Sequence, residues 1–130
     1  MKIFGIGTDI VNVKRVDKML KRHGKRFKKK LFSNKEISYC DNKKNPSSFY
    51  AKRYAAKEAF SKAIGIGIKK NFNFRNIEIS NDSNGKPYVI LNGELKKLLK
   101  RKVKKKRYFI YLSLTDDIPW AQATVVISYS

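Results

Sequence analysis

Two short segments of this chain hold an acidic residue in a cramped setting: Gly5-Ile6-Gly7-Thr8-Asp9-Ile10 and Arg53-Tyr54-Ala55-Ala56-Lys57-Glu58-Ala59-Phe60. There are 10 Asp and Glu against 31 Lys and Arg, a formal charge of +21. An acid held where the backbone is constrained and cations crowd is a candidate metal ligand or catalytic base. Mg²⁺ takes carboxylate oxygens from one or two residues and completes its octahedron with phosphates and waters, so two such acids suggest chemistry on a phosphate. Lys62 and Gly65 fall on the same helical face as Glu58. A carboxylate, an ammonium and a helix end then point at one volume, the makings of a diphosphate–metal cradle. Each acid also has a plainer reading, and the local pattern alone favours it. Asp9 reads as a turn or cap residue at a strand end. Glu58 reads as a solvated helix acid paired with Lys62 at i,i+4, worth only ~0.3–0.5 kcal/mol. Gly5 and Gly7 leave room for a ligand or for another backbone.

Other chemistries find little support. Neither Gly5-Ile6-Gly7 nor Gly65-Ile66-Gly67 completes a dinucleotide fingerprint, because Ile10 and Lys70 stand where the third glycine belongs, and no Gly-Lys-Ser/Thr phosphate loop is present. The lone His23 reads as a packed or surface residue, and the single Cys40 excludes an intrachain disulfide or a cysteine metal cluster. Nine of the twelve residues from Lys96 to Arg107 are basic. A solvated helix explains them; RNA contact is the rival, although the recognition aromatics of an RNA-binding sheet are not interleaved there. The stripe Arg15, Lys18, Arg22, Arg26 is richer in Arg, which pairs bidentately with carboxylates, so an acidic protein partner suits it as well as a phosphate backbone.

These residues need elements to position them. At 130 residues, with 42% hydrophobic and 12% aromatic content, the chain is expected to form one domain, residues 1–130, with a real core. Residues 2–11 read as a buried strand built on Ile3, Phe4, Ile6, Ile10 and Val11. Asn12 caps a helix whose inward face is Val13, Val16, Met19, Leu20 and His23, with Gly24 interrupting or kinking it. A capping box of Ser33 and Glu36 starts a short helix. Asn45-Pro46 starts a second main helix that runs to about Ile64 and stops at Gly65. Strands at Asn76–Ser80 and Pro87–Leu91 join through the Asn81–Gly85 turn. A helix over Glu94–Val103 follows, then strands at Tyr108–Thr115 and Ala121–Tyr129. The fold class is α+β. An acid this early in the chain does not suit a signal peptide, and no apolar run approaches the roughly 20 residues that span a bilayer. The chain is expected to be soluble and cytoplasmic.

The two acidic segments, read with Arg15, Lys62, Gly65, Ile77-Glu-Ile, Asn84-Gly-Lys-Pro87, Leu112-Ser-Leu-Thr-Asp116 and Ala123-Thr-Val-Val-Ile127, resemble the holo-acyl-carrier-protein synthases, the small bacterial-type 4′-phosphopantetheinyl transferases. The likeness spans essentially the whole chain in order. It implies a single-domain fold with a small, mainly antiparallel sheet packed with a long helix and shorter helices. The implied activity is transfer of 4′-phosphopantetheine from coenzyme A to a serine of an acidic apo acyl carrier protein, in fatty acid biosynthesis. By the same resemblance Asp9 and Glu58 hold Mg²⁺ against the coenzyme A diphosphate. Lys62 and Arg53 would stabilise phosphate charge, Gly65 and Gly67 would line the coenzyme's path, and Arg15, Arg22 and Arg26 would dock the carrier. A homotrimer with active sites between subunits is implied too. Asp116 departs from the pattern, since many relatives have His there, and it is assigned no role. Two rivals are a basic RNA-binding protein and a catalytically dead, carrier-binding relative.

Overall fold

A computed structural model describes residues 1–65 and 73–130. Strand β1 (Lys2–Asn12) leads directly into helix α1 (Val13–Leu31), where Asn12 accepts a hydrogen bond from the Lys14 N–H. Gly24 breaks the helical geometry of α1, so the expected kink is present. Helix α2 (Asn34–Asp41) begins at the Ser33–Glu36 capping box, with both reciprocal bonds made. Helix α3 (Pro46–Ile64) starts at its proline and ends at Gly65, whose left-handed conformation (φ 79°) caps it. A 3₁₀ turn (Phe74–Asn76) precedes the hairpin of β2 (Ile77–Asn81) and β3 (Pro87–Leu91); α4 (Gly93–Lys102), β4 (Tyr108–Asp117) and β5 (Trp120–Tyr129) complete the described chain.

Strands β1, β5 and β4 form an antiparallel sheet in that order, and β2–β3 form a second, two-stranded one. Helix α3 lies across the larger sheet and is buried almost all round, with Ala51, Ala55, Ala56, Ala59 and Phe60 fully inside. The close approach comes from β1. A Cβ on Gly5 would stand 1.9 Å from the Ala63 carbonyl oxygen, and one on Gly7 would stand 1.8 Å from that of Ala59. The two glycines therefore admit a helix backbone, the second of the two uses open to them. With glycines facing the helix, the strand's alternation sends its large residues outward. Ile6 and Ile10 are exposed in this way, and Ile3, which has the parity of the glycines, is exposed beyond a register shift between Ile3 and Gly5; this corrects the expectation that they lie in the core.

The expected inward face of α1 is corrected as well. His23 is exposed and Met19 is largely so, leaving Val13 and Val16 as the buried face of α1. In α4, Leu95 and Leu99 are buried and the basic residues from Lys96 to Arg107 are exposed, the plainer of the two readings of that run. Among the described residues no helix is long and apolar enough to cross a membrane.

Candidate active site

The parity of β1 that points Gly5 and Gly7 at α3 also points Asp9 there. From α3, Lys62 reaches back to meet it: Nζ lies 3.1 Å from Asp9 Oδ1 and donates to the Thr8 carbonyl at 2.9 Å. Glu58, one turn earlier on α3, is only 8% exposed. It is not the solvated helix acid of the plainer reading, and the Lys62 ion pair runs to Asp9 instead. Burial pushes the Glu58 carboxyl above its ordinary value; a hydrogen bond from the Tyr54 hydroxyl and the charge of Lys62 pull the other way, while the Asp9 carboxylate adds to the rise. The Tyr54 hydroxyl is itself pushed up to about 12 by burial and by the charge of Glu58. Asp9, Glu58, Lys62 and Tyr54 thus form one electrostatic unit, although they come from two elements about fifty residues apart in sequence.

A cavity of about 910 Å³ opens beside this unit. Glu58, Tyr54 and Arg15 line it together with Val11, Val16 and Phe74. Arg15 therefore shares this cavity with Glu58. Arg22 and Arg26 are exposed on the same helix, but the kink at Gly24 falls between them and breaks their helical register. Gly65 caps α3, and no described residue lies within 4 Å of where a Cβ would stand. Gly67 lies outside the described residues.

Arg53 points elsewhere. It is 2% exposed, its guanidinium lies 4.1 Å from the centre of the Tyr39 ring, and it donates to the Asn81 side chain at 2.7 Å. Among the described residues its Nε has no hydrogen-bond partner. The aromatic rings of Tyr39 and Phe49 gather two more cations, with Lys43 4.4 Å from the first centroid and Lys52 4.3 Å from the second. Asp116, left without a role by the sequence, accepts from Ser48 at 3.0 Å and pairs with Lys52 at 3.4 Å.

Sequence reasoning missed two contributors. Tyr54 was visible on the face of Glu58, but nothing in its spacing marked a hydroxyl aimed at the carboxylate. Lys57 looked like one lysine among many, yet it is fully buried and bonded to Glu36 at 2.7 Å. The available signal was Glu36 itself, a capping residue with a second oxygen to satisfy.

Among the described residues no cluster of three or more His, Cys, Asp or Glu occurs. A buried Glu58 whose ionisation is made costlier by the Asp9 carboxylate, beside one exposed lysine, is nonetheless an arrangement that a divalent cation relieves, and Mg²⁺ takes its remaining ligands from phosphate and water. The residues fit the ion.

Comparison with known proteins bears directly on this geometry. Residues 5–123 match the model of the 4′-phosphopantetheinyl transferase superfamily. The chain is 43% identical over 127 residues to the holo-[acyl-carrier-protein] synthase of Pelagibacter ubique, covering 98% of each chain. Among solved structures it resembles the holo-[acyl-carrier-protein] synthase of Neisseria meningitidis with a TM-score of 0.86, at 37% identity, over 97% of this chain and 98% of the other. It also resembles a holo-(acyl-carrier-protein) synthase of Bacillus anthracis solved in complex with CoA (3′,5′-ADP), with a TM-score of 0.80 at 34% identity, over 100% and 99% of the two chains.

Proposed function

The chain belongs to the 4′-phosphopantetheinyl transferase superfamily, and from that premise we propose which of its residues carry the reaction. The protein transfers 4′-phosphopantetheine from coenzyme A to a serine of an apo acyl carrier protein, leaving adenosine 3′,5′-bisphosphate. The serine oxygen forms a bond to the phosphorus that bears pantetheine, the bond to the bisphosphate breaks, and the serine proton must be taken up. The observation that carries the assignment is the Asp9–Lys62 pair set beside a buried, raised Glu58.

Asp9 and Glu58 would hold Mg²⁺. When bound, that ion supplies neutralisation of the diphosphate and of the charge that builds on the leaving oxygen. Lys62 is more than half exposed at its side chain and, among the described residues, is bonded only to the strand beside it. It is free to turn its ammonium to a phosphate, where a preorganised cation counts most in the transition state. Glu58, which lines the cavity with Arg15, would take the serine proton. Arg53, buried beneath Tyr39 and bonded to Asn81, would act on the coenzyme's phosphates through its charge rather than by contact. Gly65 and Gly67 would border its path.

Carrier docking falls to Arg15, Arg22 and Arg26 on α1. An acidic helix seated on α1 would bring its serine to the cavity at Arg15 and Glu58. A homotrimer is supported by the outer face of the larger sheet. Its three central rows are Ile6, Val126 and Tyr111; Thr8, Thr124 and Ser113; and Ile10, Gln122 and Thr115. These nine positions hold no charge in a chain with 31 Lys and Arg. A cytoplasmic location and a role in fatty acid biosynthesis complete the proposal.

Purified protein given Mg²⁺, coenzyme A and apo carrier should add one phosphopantetheine mass to the carrier. Omitting Mg²⁺, or substituting Asp9→Ala or Glu58→Ala, should lower turnover by at least about a hundredfold with the fold intact. Normal turnover in either variant removes the metal-ligand assignment. Docking of the carrier without transfer by the wild type identifies the dead relative instead.

A further inference from the structure

Lys57 precedes Glu58 in α3 and is buried completely, as is its partner Glu36 in α2. An ammonium has three protons to donate, and all three are used. Nζ lies 2.7 Å from Glu36 Oε1, 2.8 Å from the Phe74 carbonyl oxygen and 2.5 Å from that of Ile77. Glu36 in turn accepts from the backbone N–H of Ser33 at 3.0 Å and of Ile79 at 3.2 Å. One buried pair therefore ties α2, α3, the 3₁₀ turn and β2 to a single point.

Such a pair is a poor way to gain stability. Desolvating two charges is costly, and apolar residues of similar volume often do as well or better. What an apolar pair cannot do is grip two carbonyls of a neighbouring turn. The turn in question, with Asn73, Phe74 and Arg75, forms the wall of the cavity that Glu58 and Arg15 also line. Its outer side is held as well, since Arg75 donates to the Lys29 carbonyl of α1 at 2.8 Å.

We propose that Lys57 is a positioning residue: through Glu36 and the carbonyls of Phe74 and Ile77 it fixes the cavity wall formed by this turn to the helix that carries Glu58. The cavity takes the pantetheine arm of coenzyme A, which must leave the diphosphate beside Glu58 in some direction and finds an apolar-lined space there. The inference rests on the transferase reading.

The test pairs two variants with the wild type. Lys57→Met/Glu36→Gln removes both charges and keeps the buried volume. Glu36→Asp keeps both charges but withdraws the carboxylate by one methylene, drawing the ammonium off the turn. In each, KM for coenzyme A should rise at least tenfold while kcat at saturation falls less than threefold, and calorimetric binding of coenzyme A should weaken to match. These effects should persist at temperatures where circular dichroism shows the variant fully folded. If the folded variants, or Glu36→Asp alone where the double variant does not fold, show wild-type KM and affinity, Lys57 is merely structural and the inference fails. A wild type that transfers nothing would instead overturn the transferase reading.

Discussion

Glu58 shows how a site residue can work against the fold that holds it. Burial raises its pKa, and the hydrogen bond from Tyr54 and the charge of Lys62 only partly offset that rise. For an acid whose folded pKa lies above its unfolded value, ionisation disfavours the folded state. The penalty is absent below the ordinary value of 4.5, grows as pH rises through the folded pKa and is complete above it. Metal-free Glu58→Gln protein should therefore be more stable than the wild type at pH 7, and the advantage should vanish as pH falls toward 4. Thermal melts at a series of pH values measure this; a Glu58→Gln variant less stable at pH 7 would refute the account. Tyr54→Phe removes the one donor and should move the Glu58 midpoint, followed by carboxyl NMR in the metal-free protein, further up. An unchanged or lower midpoint would show that the hydroxyl does not govern it.

At the level of elements, the packing of β1 on α3 decides where the chemistry sits. Gly5 and Gly7 bring the strand against the carbonyls of Ala63 and Ala59, and the same alternation then turns Asp9 toward Glu58 and Lys62. Gly7→Ala should destabilise the protein by about 2 kcal/mol or more, because the added carbon meets backbone, which cannot swing aside. It should also lower turnover by moving Asp9; a variant with the wild-type melting temperature and rate would show that the approach is not tight. Much of this was legible in the sequence. The capping box at Ser33 and Glu36, the proline start and glycine stop of α3, and the hairpin at Asn81–Gly85 all follow from local chemistry, and the structure has them. The facing of β1 was not legible. A run of isoleucines reads as core, and only knowledge that a helix occupies the glycine side reverses it. The Lys57–Glu36 pair escaped for a similar reason, since in a chain with 31 Lys and Arg one more lysine carries no signal until its burial is seen.

Across the whole molecule, charge and apolar surface act in opposite directions. A net +21 attracts an anionic coenzyme and an acidic carrier but repels other copies of the same chain. Self-association therefore needs a surface free of cations, and the uncharged outer face of the β1–β5–β4 sheet is one, with Ile6 65% and Ile10 61% exposed in a single chain. Carrier docking and the proposed self-association then have opposite salt dependence. Salt screens the attraction between this chain and an acidic carrier, so KM for the carrier should rise several-fold between low and high ionic strength. The same screening relieves repulsion between copies, so the oligomer should tighten, as sedimentation at decreasing protein concentration will show. Ile6→Lys/Ile10→Lys puts cations on that face without touching the core. It should yield a folded monomer at low salt, with activity lost to the extent that sites lie between subunits. If the double variant sediments like the wild type, the face is not the interface; if the wild type dissociates as salt is raised, its contacts are ionic and the apolar face has another use.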